Sequence, residues 1–373
     1  MSRILNILVC IIKSKKIFYV KKKKFAIFDC VNSEILAKIL PNDQTCVISA
    51  RVHLIKEILV NFKTLSFVLK NLFSRSIQLN YFISLIKQIE PKFVLTTIDN
   101  SINFSILTKY FEGKIKFIAI QNGTRGGIYE NIDNTNKILY FTNYMGLSDF
   151  DYELMKAKNI KVKNFFPVGS LTNSYFKKYI QKTNSNLNKN YDICFVNKII
   201  FDNGEKNTYK TAKDSFVLLN FLSKYINKYN KKILIQTKSY FNEAEKLFIE
   251  KLFYGCRYKI SWRDTENMNR VNFNAYKSIS SSELVIGAPS TLLREAIMYP
   301  NTKIVCFDPT IKFGKLPFRG INVIKDNSYE KFEEKLNLLF KLDYKEYINK
   351  LEKKPEYLMQ NTDTIDYLLN YLK

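Results

Sequence analysis

The sequence predicts an α/β protein of two domains, each a parallel sheet with helices on its faces. Three observations predict it. Short apolar runs alternate with stretches of helical period along nearly the whole chain, the pattern of strands joined by crossover helices. The alternation breaks once, between Tyr179 and Tyr191, where the chain becomes Lys, Asn, Gln and Ser with almost no apolar content. The 373 residues, 46% hydrophobic and 14% aromatic, are long for one core and suit two domains of about 150 to 190 residues each.

Taken in order, residues 1–24 read as a basic N-terminal extension. Its apolar run, 4–12, is too short to span a bilayer, and Lys13, Lys15 and Lys16 follow it. No small-residue cleavage site precedes the lysine run 21–24, so a signal peptide is not expected; the lysines either touch anionic lipid or are simply solvated. The first domain, 25–180, has apolar runs at 25–28, 45–49, 93–97, 116–120, 138–141 and 165–168 as strands. Helical period fits 33–40, 54–73, 79–89 and 102–111. Residues 181–190 are the linker. The second domain, 191–373, places strands at 191–196, 232–236, 257–261, 284–286 and 303–307, with helices at 211–229, 242–252, 273–280 and 291–298. Helices at 329–340, 344–351 and 363–372 close the chain, one of them free to cross back to the first domain.

Composition excludes several chemistries. Cys10, Cys30, Cys46, Cys194, Cys256 and Cys306 show no CxxC spacing and sit mostly in apolar runs, as buried reduced thiols of a cytoplasmic protein do. One histidine, His53, cannot assemble a His-based metal site, and no GxSxG elbow accompanies it. The net charge of +25, from 59 basic and 34 acidic residues, suits nucleic acid, an anionic membrane surface or an anionic small substrate. Heavy use of Lys, Asn and Ile, as AT-rich coding produces, offers a neutral account of part of it.

The most informative segment is 282–296, Ser-Glu-Leu-Val-Ile-Gly-Ala-Pro-Ser-Thr-Leu-Leu-Arg-Glu-Ala, a buried strand running through a tight turn into a helix. Gly287 and Pro289 break the strand, and Ser290 or Thr291 caps a helix with apolar positions at Leu292, Leu293, Ala296 and Ile297. Free N–H groups and the dipole at such a helix start favour an anion. The same caps serve a purely structural helix equally well.

Two facing α/β domains of this kind resemble the GT-B class of glycosyltransferases, in which two Rossmann-like domains face a central cleft and the second binds a nucleotide-activated sugar. Three segments are similar to the surface-carbohydrate biosynthesis transferases of bacterial O-antigen and capsule loci: residues 93–104, residues 116–125 (Lys-Phe-Ile-Ala-Ile-Gln-Asn-Gly-Thr-Arg) and residues 282–296, with Pro167-Val-Gly-Ser170 as a weaker echo. The resemblance implies that Gly287, Ser290 and Thr291 hold the donor diphosphate and that Glu295 takes the ribose. Arg294 would add positive charge, or else pair with a surface acid. Lys238, after the strand 232–236, would neutralise the leaving nucleotide phosphate, or else be solvated. Gln121, Asn122 and Gly123 would line the acceptor pocket, or else form a tight amide-rich turn. Relatives often carry His where this chain has Asn122, which removes an acid/base role there.

Inverting sugar transfer without a metal needs a base near the acceptor hydroxyl and positive charge on the leaving diphosphate. Asp99, ending a first-domain strand, is one candidate base and also a candidate cap for the helix from Ile102; Asp29 is the second. No DxD pair of the metal-dependent kind occurs on a loop, so no metal and no cofactor beyond the nucleotide-sugar co-substrate is expected. The reading is a cytoplasmic transferase, peripheral at the inner face of the plasma membrane, that passes a sugar to a glycan or polyprenyl-linked acceptor. A nucleotide-sugar 2-epimerase shares the two-domain shape, and a polyol-phosphate transferase of cell-surface polymer synthesis is the next rival, but both ordinarily use histidines. A basic nucleic-acid-binding protein would explain the charge, yet the aromatics lie inside apolar strands and helices without a basic-aromatic cluster. A non-catalytic scaffold in glycan assembly is the remaining alternative.

Overall fold

The computed structural model describes residues 12–51, 54–125, 138–158, 160–180, 188–199, 212–263, 273–309 and 316–373. His53, Cys10 and most of the linker lie outside the described residues. The N-terminal strands are β1 (Lys15–Ile17), β2 (Phe25–Phe28), β3 (Thr45–Ile48), β4 (Glu57–Leu59), β5 (Phe93–Thr96), β6 (Lys116–Ile120), β7 (Leu139–Gly146) and β8 (Ile160–Pro167). Six of them form one parallel sheet in the order β3-β2-β5-β6-β7-β8, while β1 and β4 pair separately. The second sheet comprises β9 (Tyr191–Val196), β10 (Lys232–Gln236), β11 (Arg257–Ser261), β12 (Ser282–Gly287), β13 (Lys303–Phe307) and β14 (Val323–Ile324). Its order is β11-β10-β9-β12-β13-β14, again all parallel.

Both faces of the first sheet are covered, and the side-chain alternation along its strands shows it. Ala26, Phe28, Val94, Phe117 and Ala119 enter one core, whereas Phe25, Ile27, Phe93, Leu95, Ile118 and Ile120 enter the other. A strand buried on both faces reads as an unbroken apolar run, which is why these segments are visible in the sequence. The second core reaches from Cys194 and Cys306, both fully buried, to Phe332 and Tyr347 of the C-terminal helices.

The structure departs most clearly from the predicted elements in two places, and it decides which C-terminal helix crosses back. Residues 54–73 are not one helix: Glu57–Leu59 pairs with Lys15–Ile17, and a shorter helix, Phe62–Lys70, begins at Asn61, whose side chain accepts from the Thr64 N–H at 2.9 Å. Tertiary pairing overrides a weak helical preference here, and it ties residues 15–17 of the basic extension into the fold. The strand expected at 138–141 runs on to Gly146 despite Thr142 and Asn143, because Asn143 Nδ2 finds the Phe117 carbonyl at 3.0 Å; a helix, Asp149–Lys156, then follows it. Finally, the terminal helix Thr364–Tyr371 does cross back. Its Ile365, Leu368 and the following Leu372 join Phe25, Ile27 and Leu95 in the first sheet's core, and Thr364 Oγ1 donates to the Val168 carbonyl at 2.7 Å. Gly169, at φ +86°, lets Gln360 pass; a Cβ there would stand 2.2 Å from the Gln360 carbonyl oxygen.

Candidate functional site between the two sheets

Two loops at the carboxyl ends of parallel strands carry the site, the position where open α/β sheets bind ligands. One follows β6 and contains Gln121, Asn122, Gly123, Thr124 and Arg125. The other follows β12, where Gly287 packs so close to β9 that a Cβ would lie 3.0 Å from the Val196 carbonyl oxygen. Ser290 caps the helix Thr291–Ala296 by accepting from the Leu293 N–H at 3.1 Å. The loops touch: the Thr124 N–H donates to Thr291 Oγ1 at 2.8 Å, and a Cβ on Gly123 would stand 3.4 Å from that same oxygen.

Arg294 has a different place from either one expected for it. The side chain is fully buried and joins the two halves of the protein. Its Nη2 and Nη1 form a two-point ion pair with Asp151, at 2.7 and 3.1 Å. Nη2 also donates to Ser148 Oγ at 3.0 Å, Nη1 to Thr124 Oγ1 at 3.3 Å, and Nε to the Leu358 carbonyl at 2.8 Å. A guanidinium has five N–H donors, so this set leaves none for a phosphate. Arg294 is therefore a clamp, neither a diphosphate ligand nor a surface salt bridge. Asp151 lies in the first turn of the helix Asp149–Lys156, where the dipole favours its charge, and it accepts further from Gln121 Nε2 at 2.7 Å and Ser148 Oγ at 3.0 Å. Gln121, also buried, donates to the Gly123 carbonyl at 2.9 Å and accepts from the Leu147 N–H at 3.2 Å, so it holds the loop and does not line an open pocket.

Glu295 faces inward too. Its carboxylate accepts from the Ser170 hydroxyl and from Tyr276 OH at 3.0 Å, and burial pushes its carboxyl up to about 7 against the pull of those hydrogen bonds and of Arg294. Ser170 belongs to the weaker sequence echo, and it caps the helix Leu171–Tyr175.

Of the two candidate bases, Asp99 is wholly buried and pairs with Arg125, accepting from Nε at 2.8 Å and from Nη2, while Tyr144 OH donates to it at 2.7 Å. Arg125 Nη2 also reaches Asn122 Oδ1. The helix Ile102–Tyr110 takes its cap from Ser101, so capping is not the function of Asp99. Asp29 has φ 74° and accepts from the Val31 N–H at 3.1 Å and Arg51 Nε at 3.0 Å, with the Arg51 side chain 41% exposed.

Lys238, just after β10, is exposed at the carboxyl end of the second sheet. Beside it the structure adds Lys198, after β9, whose ammonium is pushed down to about 8 by burial and by Lys238, while Cys306 and Asp308 oppose the shift. Asp308, after β13, is raised by burial, and its Oδ1 is enclosed without a hydrogen-bond partner. Sequence reasoning missed Asp151, Tyr144, Tyr276 and Lys198. Only Asp151 had a local signal, the Ser148-x-x-Asp151 spacing of a helix start. Among the described residues no group of three or more His, Cys, Asp or Glu side chains is placed to hold a metal ion, and no helix is long and apolar enough to cross a membrane.

No family model matches the chain, and no curated protein matches it by sequence. Among solved structures it is similar to the UDP-GlcNAc 2-epimerase of Neisseria meningitidis bound to UDP-GlcNAc, with TM-score 0.52 and 12% identity over 93% of this chain and 98% of that one. It is similar to the UDP-GlcNAc 2-epimerase of Methanocaldococcus jannaschii in complex with UDP-GlcNAc and UDP, with TM-score 0.51 and 11% identity over 93% and 99%. A glycosyltransferase from Rickettsia africae aligns over 95% of this chain and 98% of its own, with TM-score 0.49 and 14% identity. Identities this low speak for architecture alone. The chain has the α/β fold of the GT-B type, two Rossmann-like parallel sheets whose strand-end loops meet each other.

Proposed function

We propose that this protein is a glycosyltransferase that moves a sugar from a nucleotide-activated donor to a surface-polysaccharide acceptor of the O-antigen or capsule kind, carried on a lipid, without a metal. One observation carries the reading: the sequence segments that resemble such transferases converge on a single network. Asp99 of the first binds Arg125 of the second, Thr124 of the second binds Thr291 of the third, and Ser170 of the weaker echo binds Glu295 of the third. In this reading the donor lies at the carboxyl ends of the second sheet, with Gly287, Ser290 and Thr291 beside the diphosphate and Lys238 and Lys198 supplying positive charge to the leaving nucleotide. Glu295 and Arg294 act from behind, holding that helix in place. Asp29, whose partner Arg51 is the more exposed, is the better candidate base; Asp99 positions Arg125 and through it the loop of Asn122 and Gly123.

A thermal-shift screen against UDP-, GDP-, dTDP-, CDP- and CMP-linked ligands, with Thr291→Arg alongside, tests the donor site, because a ligand that binds the native state raises its apparent stability. A shift with one nucleotide that disappears in the variant is expected. No shift with any of them, together with salt-dependent RNA or DNA binding, would overturn the reading. The likeness to two UDP-GlcNAc 2-epimerases favours a second reading, in which the same donor site inverts C2 of the sugar. Conversion of UDP-GlcNAc to its C2 epimer in the absence of any acceptor would select it.

A further inference from the structure

The helix Phe62–Lys70 turns Thr64 and Phe67 inward and leaves other large apolar side chains outside. Its buried residue is Thr64, whose Oγ1 accepts from Gln88 Nε2 at 2.9 Å, while Phe62, Leu65 and Leu69 point to water. Spacing of three and four residues puts those three on one stripe. Phe73, just beyond the helix, is 100% exposed, and Phe62 at its start is 85% exposed. At the same end Asn61 Nδ2 donates to the Phe18 carbonyl at 3.1 Å, which seats exposed Phe18 and Tyr19 next to Phe62. A soluble surface rarely leaves so many large apolar groups together without a partner.

The charge around this face is mainly positive, although Lys15 pairs with Glu57 at 3.4 Å and Lys22 with Glu90 at 2.6 Å. Lys15 and Lys16 lie on β1, Lys21 and Lys22 follow it, and Lys63 and Lys70 flank the stripe on the helix, all of them exposed. Asp29 is the first acidic residue of the chain. Two copies of the protein meeting through this face would set lysines against lysines, which opposes self-association. Apolar side chains ringed by lysines suit an anionic lipid surface, where the rings and leucines enter the acyl boundary and the ammonium groups meet the headgroups.

We propose that the face formed by Phe18, Tyr19 and the helix Phe62–Lys70 with Phe73 docks the protein on an anionic bilayer. The docking adds to the transferase reading the place where a lipid-carried acceptor is met, and it does not depend on that reading. The test is co-sedimentation of the full chain with vesicles of phosphatidylcholine alone and of phosphatidylcholine with roughly one-third phosphatidylglycerol, at about 0.1 M and about 0.5 M salt. Binding to the anionic vesicles at least about tenfold above the neutral ones, weakened by salt, is expected. Combined Phe62→Ser, Leu69→Ser and Phe73→Ser substitutions should lower it by about tenfold or more with the thermal melt unchanged, because these side chains already stand in water. Combined Lys16→Glu and Lys63→Glu substitutions should weaken it while removing much of the salt dependence. No preference of the parent protein for anionic vesicles, or equal binding by the serine variant, overturns the proposal. So does a dimer in solution that the serine variant dissolves without any vesicle binding by the parent. The mixture contains no nucleotide, so failure here leaves donor binding as it was.

Discussion

Replacing Asp151 by Asn takes away the carboxylate paired with the fully buried Arg294 guanidinium. Breaking one partner of a buried pair costs about 3–5 kcal/mol, because the remaining charge has lost its water and found nothing in exchange. The geometry here argues against the low end. Gln121 Nε2 and Arg294 Nη1 both donate to Asp151 Oδ1, and Ser148 Oγ and Arg294 Nη2 both donate to Oδ2. Whichever way an Asn side chain turns, its NH2 faces an Arg294 donor, joined on one side by the Gln121 amide. We therefore expect a loss of about 4 kcal/mol in urea unfolding, followed by far-UV circular dichroism and by the fluorescence of Trp262, the single tryptophan. Combined Asp151→Leu and Arg294→Met should lose less than the two single changes added together, since neither charge is then buried alone. A loss below about 1 kcal/mol for Asp151→Asn, or full additivity in the double variant, would refute the clamp.

The remaining predictions concern protonation, backbone and the donor site. Burial raises to about 7 the carboxyls of Glu295 and of Glu245, which lies in the helix Glu243–Leu252 and accepts from Asn197 Nδ2 at 2.9 Å and from the Ser239 hydroxyl, so the folded state holds protons that the unfolded chain releases. The stability this contributes is full below about pH 4.5 and is lost as pH rises through about 7, by up to about 3 kcal/mol per group. Glu295→Gln should remove its share, read as the difference between variant and parent melts at pH 5 and pH 8; an unchanged pH slope sinks the assignment. Gly169→Ala combines a left-handed backbone with a Cβ driven into the Gln360 carbonyl, and we expect it to cost about 2 kcal/mol or more. Faster proteolysis at the terminal helix would be its signature, and a variant as resistant as the parent would show that the crossing has slack. Thr291→Arg should abolish nucleotide-induced stabilisation while leaving the ligand-free melt within a few degrees of the parent, since Thr291 is only half-buried.

Local sequence determined the sheets. The strands at 191–196, 232–236 and 303–307 stand in the structure with the bounds read from the chain, because a strand covered on both faces is apolar along most of its length and polar neighbours then mark its ends; the half-exposed edge strand at 257–261 keeps its bounds too. It also located the turns after β6 and β12, the second of which needs Gly287 for close approach to β9 and Ser290 for capping. Pairing between distant segments was not legible there. Lys15–Ile17 joins Glu57–Leu59 through backbone hydrogen bonds that any side chains can make, so nothing in residues 54–73 announced a strand. The site divides in the same way. Arg294 was visible as a cation one turn after Ser290, but its role depends on Asp151, 143 positions away, and on the exclusion of water from both. Periodicity and capping are properties of neighbouring residues and can be read from the chain, whereas a charge acquires its meaning from what the fold places against it and from whether water remains.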